Sequence, residues 1–122
     1  MSDLTKIIEG YLKAWSRKDA ARFAALVAPD IRLKGPLRQL EGRGAFVDAL
    51  TRMFPIVEKA ELRTLFTRGD CALAVYDLVC APPIGRSRIA ELLEVRDGLI
   101  ASSELFFDTV PFTSAQTGEA AA

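Results

Sequence analysis

The chain has no histidine among its 122 residues. Ser–His–Asp and Cys–His catalysis are therefore excluded, as are zinc sites built on imidazole. Its two cysteines, Cys71 and Cys80, are too few for an all-thiolate zinc site. They lie at opposite ends of one extended segment, too far apart to bridge, and read as reduced, buried thiols. There is no apolar run of the roughly 18 residues that a membrane span needs. The opening stretch MSDLTKIIEG lacks a basic region followed by an apolar one, so no signal peptide and a cytoplasmic location are expected. An excess of charge of one sign is also missing. Lys plus Arg and Asp plus Glu both number 16, which argues against nucleic acid as the main partner. No basic amphipathic stretch points to a membrane surface. Chemistry in this chain must run on carboxylates, Tyr, Lys, Arg or backbone groups.

Half of the residues are apolar, enough for one modest core. Residues 1–112 are expected to form a single domain. The small, polar stretch TSAQTGEAAA, residues 113–122, is expected to be a flexible tail. Apolar residues at Leu4, Ile7, Ile8, Tyr11, Leu12 and Trp15 have helical spacing and predict a helix over Asp3–Arg17. Asp19 is placed to cap a second helix reaching Val27, which Pro29 ends. A short extended piece, IRLKG, follows, and LRQLEGRG reads as a loop or short hairpin piece. A third helix is expected from Gly44 to Phe54, ended by Pro55. The remainder is strand-like: Lys59–Thr67, Cys71–Ala81, Ser87–Arg96 and Leu99–Val110. RGD at Arg68–Asp70 and RDG at Arg96–Gly98 read as turns. The expected class is α+β, with three N-terminal helices packed on a curved, mainly antiparallel sheet.

Two strands each place an acid where the pattern asks for an apolar residue. Asp77 interrupts Leu73, Val75 and Val79, and Glu91 interrupts Ile89, Leu93 and Val95. A hairpin centred on Ile84 would set the two acids directly opposite each other on one aliphatic face. Carboxylates about 5 Å apart in an apolar setting cannot both ionise cheaply, so one would keep its proton. That division suits acid/base catalysis. The alternative is that each acid is tied by an Arg or Lys from elsewhere, or reaches solvent at a sheet edge.

The order IIEGYLKAWSRKDAARFAALVAPDIRL, LEGRGAFVDAL and ELLEVRDGLIASSELFFD resembles the NTF2-like superfamily, specifically its SnoaL-like members. The resemblance spans Leu4 to Phe112. It implies a cone-shaped barrel around a deep apolar cavity, and a homodimer formed through the outer face of the sheet. Ketosteroid isomerases of this group use a helix-one Tyr and a protonated acid as an oxyanion hole, which Tyr11 and Glu91 match. Their proton-shuttling Asp would fall at Gly35. Limonene-epoxide hydrolases carry an Asp that matches Asp77. Their companion Arg, second Asp, Tyr and Asn would be Val75, Leu105, Leu33 and Gly35.

The expectation is a pocket for a small hydrophobic molecule bearing a carbonyl or epoxide oxygen. Tyr11, Asp77 and Glu91 would be catalytic, without cofactor or metal, in isomerase, cyclase or hydrolase chemistry. Trp15, Leu33, Met53, Phe54, Val75, Leu105 and Phe107 are expected to bind the substrate. The alternative is a non-catalytic small-molecule binding or dimerisation module.

Overall fold

A computed structural model describes residues 2–114. The chain runs α1 (Ser2–Arg17), α2 (Ala20–Leu26), β1 (Val27–Lys34), β2 (Gln39–Glu41), α3 (Arg43–Thr51), β3 (Val57–Arg68), β4 (Cys71–Cys80), β5 (Arg86–Arg96) and β6 (Leu99–Phe107). A further helical turn spans 110–114. The six strands form one curved, unclosed sheet in the order β2-β1-β6-β5-β4-β3. Only the β1–β6 pair is parallel; the other neighbours are antiparallel. Among the described residues no helix is long and apolar enough to cross a membrane.

Several element ends differ from the sequence reading. The second helix stops at Leu26, because Val27 already has extended backbone and pairs with Ile100 of β6. The register then shifts between Val27 and Arg32, and the Arg43 guanidinium donates to the carbonyl of Val27, which ties α3 to this irregular stretch. The third helix ends at Thr51 in a series of turns rather than running to Phe54. The last strand stops at Phe107, and Asp108 turns the chain by accepting from the amide of Val110. Residues 113 and 114 continue the final helical turn. The rest of the expected tail lies outside the described residues.

Other expectations match. Asp19 caps α2 by accepting from the Arg22 amide at 3.0 Å. Asp97 and Gly98 both have positive φ in the β5–β6 turn, the geometry that tight hairpins need. Both cysteines are free; Cys80 is buried, which raises its thiol to about 11, whereas Cys71, expected to be buried, is only half-buried.

The core lies between the helices and one face of the sheet. Ile8, Tyr11, Leu12 and Trp15 of α1 and Phe23 and Leu26 of α2 meet Ala72, Ala74, Tyr76 and Leu78 of β4 and Ile89 and Leu93 of β5. Phe23 is fully enclosed and stands edge-on to Tyr11 and Trp15, with ring centroids 5.5 and 5.3 Å away. At the β3 edge, the Ser16 hydroxyl accepts from the Ala60 amide at 3.1 Å and faces the Ala60 carbonyl at 3.4 Å. It stands in for a neighbouring strand and blunts an edge that could pair with another chain.

The opposite face of the sheet is half apolar. Phe66, Leu73 and Leu92 form one cross-strand row, and Val75, Ala90 and Phe106 form the next. Phe66 and Phe106 are 63% and 50% exposed.

Candidate functional site

The β4–β5 hairpin is centred between Pro82 and Pro83, not on Ile84. Asp77 therefore pairs with Arg88, and Glu91 pairs with Ala74. This register differs by an odd number of residues from the one that would oppose the two acids. An odd shift sends every side chain of one strand to the other face. Asp77 and Glu91 consequently stand on opposite faces of the sheet and share no proton. The expected face-to-face carboxylate pair is overturned.

Asp77 belongs to the outer face. Its carboxylate accepts from Arg63 (2.9 and 2.6 Å), Arg86 (2.8 Å) and Arg88. Arg63 sits where the β3 register shifts between Leu62 and Thr64. Glu61 shares Arg86, at 2.6 Å. The three guanidiniums cover Asp77 so fully that its side chain is nearly inaccessible, yet they are themselves half exposed. This is a shallow, surface-level burial. Desolvation alone would raise the carboxyl pKa, but the hydrogen bonds from Arg88, Arg86 and Arg63 reverse that and hold it far below the usual aspartate value. Asp77 is held as an anion and does not line the cavity on the inner face.

Glu91 belongs to the inner face and is 0% exposed. It stands in the row Ala74–Glu91–Leu105, where the small Ala74 leaves room for a carboxylate. Its diagonal neighbours are Tyr76, one strand away, and Ser103, on the other side. Tyr76 donates to Oε1 at 2.6 Å, Ser103 donates to Oε2 at 2.5 Å, and Tyr11 reaches down from α1 to Oε2 at 3.0 Å. Among the described residues no guanidinium or ammonium group pairs with it. Burial raises the Glu91 pKa above its ordinary value, and the three hydroxyls only partly offset this. Burial, reinforced by the charge of Glu91, also pushes Tyr11 and Tyr76 well above 10, so both phenols keep their protons.

Above this cluster lies a cavity of about 190 Å³. Tyr11, Tyr76 and Trp15 meet it, together with Leu33, Met53, Leu105 and Phe107. Two expected lining residues are elsewhere. Val75 pairs with Ala90 on the outer face because of the register, and Phe54 packs behind the pocket against Trp15 and Phe23. Glu91 does not line the cavity; it is screened from it by the two tyrosines.

The Trp15 indole N–H is close enough to Tyr11 to favour its phenolate slightly, but it makes no hydrogen bond of sound geometry. It is the one buried side-chain polar atom without a partner among the described residues. A buried donor left unmade carries a cost, and a ligand acceptor would remove it.

The cluster has a definite proton inventory. With Glu91 ionised, all three hydroxyl protons point at it, and the tyrosine oxygens can only accept from a ligand. With Glu91 protonated, its own proton occupies one hydroxyl oxygen. A displaced O–H can then turn into the cavity and donate.

Tyr76 and Ser103 escaped the sequence reading. Charge offered a signal for the register: opposing Asp77 to Arg88 is favourable, while opposing it to Glu91 sets like charges together.

The family's sequence profile for the SnoaL-like domain matches residues 8–103, and the chain belongs to that family. The matched span contains Tyr11, Tyr76, Glu91 and Ser103. No curated protein matches the chain. A solved Kribbella flavida protein is 26% identical, with a TM-score of 0.87 and 96% of each chain covered. A candidate ketosteroid isomerase from the same organism is 22% identical, with a TM-score of 0.77, covering 88% of this chain and 78% of that one. An epoxide hydrolase from M. tuberculosis, described as similar to the limonene-epoxide type, is 19% identical, with a TM-score of 0.78 and coverage of 98% and 94%. The last two likenesses concern the fold, which is NTF2-like.

The two acids should give stability opposite dependences on pH. Glu91 has a raised folded pKa, so its burial is tolerated fully below the ordinary value of 4.5 and destabilises as pH climbs through the folded value. Asp77 has a depressed one, so its contribution is present above 3.8 and lost as pH falls. In urea unfolding from roughly pH 3 to 9, Glu91→Gln should flatten the decline on the alkaline side, a slope of at most about 1.4 kcal/mol per pH unit. Asp77→Asn should flatten the rise on the acid side and lower Tm at neutral pH by roughly 5 °C, because three guanidiniums lose their common anion.

Proposed function

We propose that the cavity binds a small apolar molecule through a carbonyl or epoxide oxygen seated on Tyr11, Tyr76 and the Trp15 N–H. The observation behind this is that both phenols meet the cavity while hydrogen-bonded to one buried acid whose pKa is raised. A proton held by Glu91 frees one tyrosine O–H to turn into the cavity and polarise the ligand oxygen, and negative charge growing there would meet that hydroxyl and the Trp15 N–H. The reading is cofactor-free acid/base chemistry of the isomerase, cyclase or hydrolase kind, with Asp77 removed from it.

A second reading is a non-catalytic small-molecule binding module. It is favoured by the absence of any carboxylate or amine from the described cavity lining, which leaves no side chain to abstract a proton from carbon. Under the first reading that proton leaves to water at the mouth.

4-Phenylbutan-2-one separates the two. Its α-proton exchange with D2O is followed by proton NMR, and its binding by quenching of Trp15, the single tryptophan. The catalytic reading expects exchange well above the buffer rate, reduced roughly 100-fold in Tyr76→Phe. Quenching without exchange, weakened about tenfold in Tyr76→Phe, would establish the binding module instead. No saturable quenching would remove both.

The outer-face rows around Phe66 and Phe106 suit a homodimer interface, since exposed apolar patches of this kind mark association sites. Sedimentation should show a dimer that Phe106→Glu converts to monomer. A monomeric parent chain would contradict it.

A further inference from the structure

We infer that the ligand is a small carboxylate, with its apolar body in the cavity and its acid group held at the mouth by Arg38. The inference rests on the pocket reading above and adds the chemical class of its occupant.

The charge of the lining comes first. Two arginines line the cavity, Arg38 and Arg52, and no acidic residue does among the described residues. Arg52 closes the end of α3 and is paired with Asp48 at 2.8 Å, out in solvent. Arg38 has no acid partner among the described residues. It sits in the turn between β1 and β2, where its carbonyl accepts from the Gly35 amide at 2.9 Å. Arg63, Arg86, Arg88 and Arg96 are each matched to an acid, while Arg17, Arg22, Arg32 and Arg68, like Arg38, make no ion pair with an acid among the described residues; of these unmatched cations Arg38 is the one that lines the apolar cavity. An apolar cleft with an unmatched cation at its rim concentrates field on the opening and favours anions. A guanidinium fits a carboxylate with two parallel hydrogen bonds.

Size comes second. About 190 Å³ is below the range of roughly 300–1,000 Å³ usual for drug-sized ligands. The cavity suits one ring or a short chain rather than a fused polycycle. Leu37, beside Arg38, is exposed at the mouth and can cover the apolar body just below the acid group.

Polarity at the two ends comes third. The floor offers Tyr11, Tyr76 and the unpartnered Trp15 N–H, all neutral, while the mouth offers a full positive charge. A keto or hydroxy acid matches this order: its neutral oxygen sits deep and its ionised group stays at the wet rim, where no anion must be desolvated.

The test titrates the protein with 4-oxo-4-phenylbutyrate and with its amide, reading Trp15 quenching. The acid should bind about tenfold more tightly than the amide. That preference should shrink several-fold between low and high salt. It should vanish in Arg38→Gln and be partly restored in Arg38→Lys, with circular dichroism confirming the fold of each. Equal affinity for acid and amide overturns the inference. So does a preference that survives Arg38→Gln, or one that only Arg52→Gln removes. If the amide binds and Tyr76→Phe weakens it, with no preference for the acid, this inference fails and the pocket reading stands. If neither compound gives saturable quenching, both fail.

Discussion

A carboxylate with no access to water sits at the centre of this domain, and the inner architecture is arranged to tolerate it. An isolated buried carboxylate costs several kcal/mol, and among the described residues Glu91 has no cation to offset that. Three hydroxyls take that role, and each comes from a different place in the chain. Tyr11 comes from α1, Tyr76 from β4 and Ser103 from β6, with Glu91 itself on β5. The hydrogen bonds require the helix to dock at one height and three strands to keep one register. The aromatic contacts of Phe23 with Tyr11 and Trp15 hold the helix side of that arrangement. Because hydroxyls both donate and accept, the cluster can exist in either protonation state of Glu91. A salt bridge could not do so.

The other strand acid shows the opposite solution on the opposite face. Asp77 is covered by three arginines that remain half in water, so its charge is stabilised at little desolvation cost to its partners. One acid is fixed as an anion and serves the sheet. The other has its proton affinity raised and sits beneath a cavity. Two residues that look alike in sequence are thus separated by the thickness of one sheet, and of the two only Glu91 is hydrogen-bonded to residues that line the cavity.

Much of this was legible in the residues. The helical spacing of α1, the Asp19 cap, the RDG turn and the alternation of β5 led to the right elements, and they placed Tyr11, Trp15 and Glu91 on the inward side. The register of the β4–β5 hairpin was not legible from hydrophobicity. CALAVYDLVC is apolar on both faces: Ala72, Ala74, Tyr76 and Leu78 face the core, while Leu73, Val75 and Val79 cover the outside. With no polar side to break the tie, the larger aliphatic set reads as the core, although the smaller alanines are what make room for Glu91. Ser103 was hidden for a related reason. A serine in the run ASSELFF reads as a surface residue, and only its diagonal position beside Glu91 gives it a buried role. The cavity rim was illegible because Arg38 and Arg52 come from two separate turns that only the fold brings to one mouth.

Separate fates for the two acids are the central claim, and carboxyl 13C NMR titration reads both in one experiment. With Asp77→Asn and Glu91→Gln used to assign the resonances, the Glu91 signal should titrate clearly above the ordinary glutamate value of 4.5. The Asp77 signal should stay ionised below the ordinary aspartate value of 3.8. A Glu91 signal titrating at or below 4.5, or a mutual shift of the two signals as either one ionises, would contradict it.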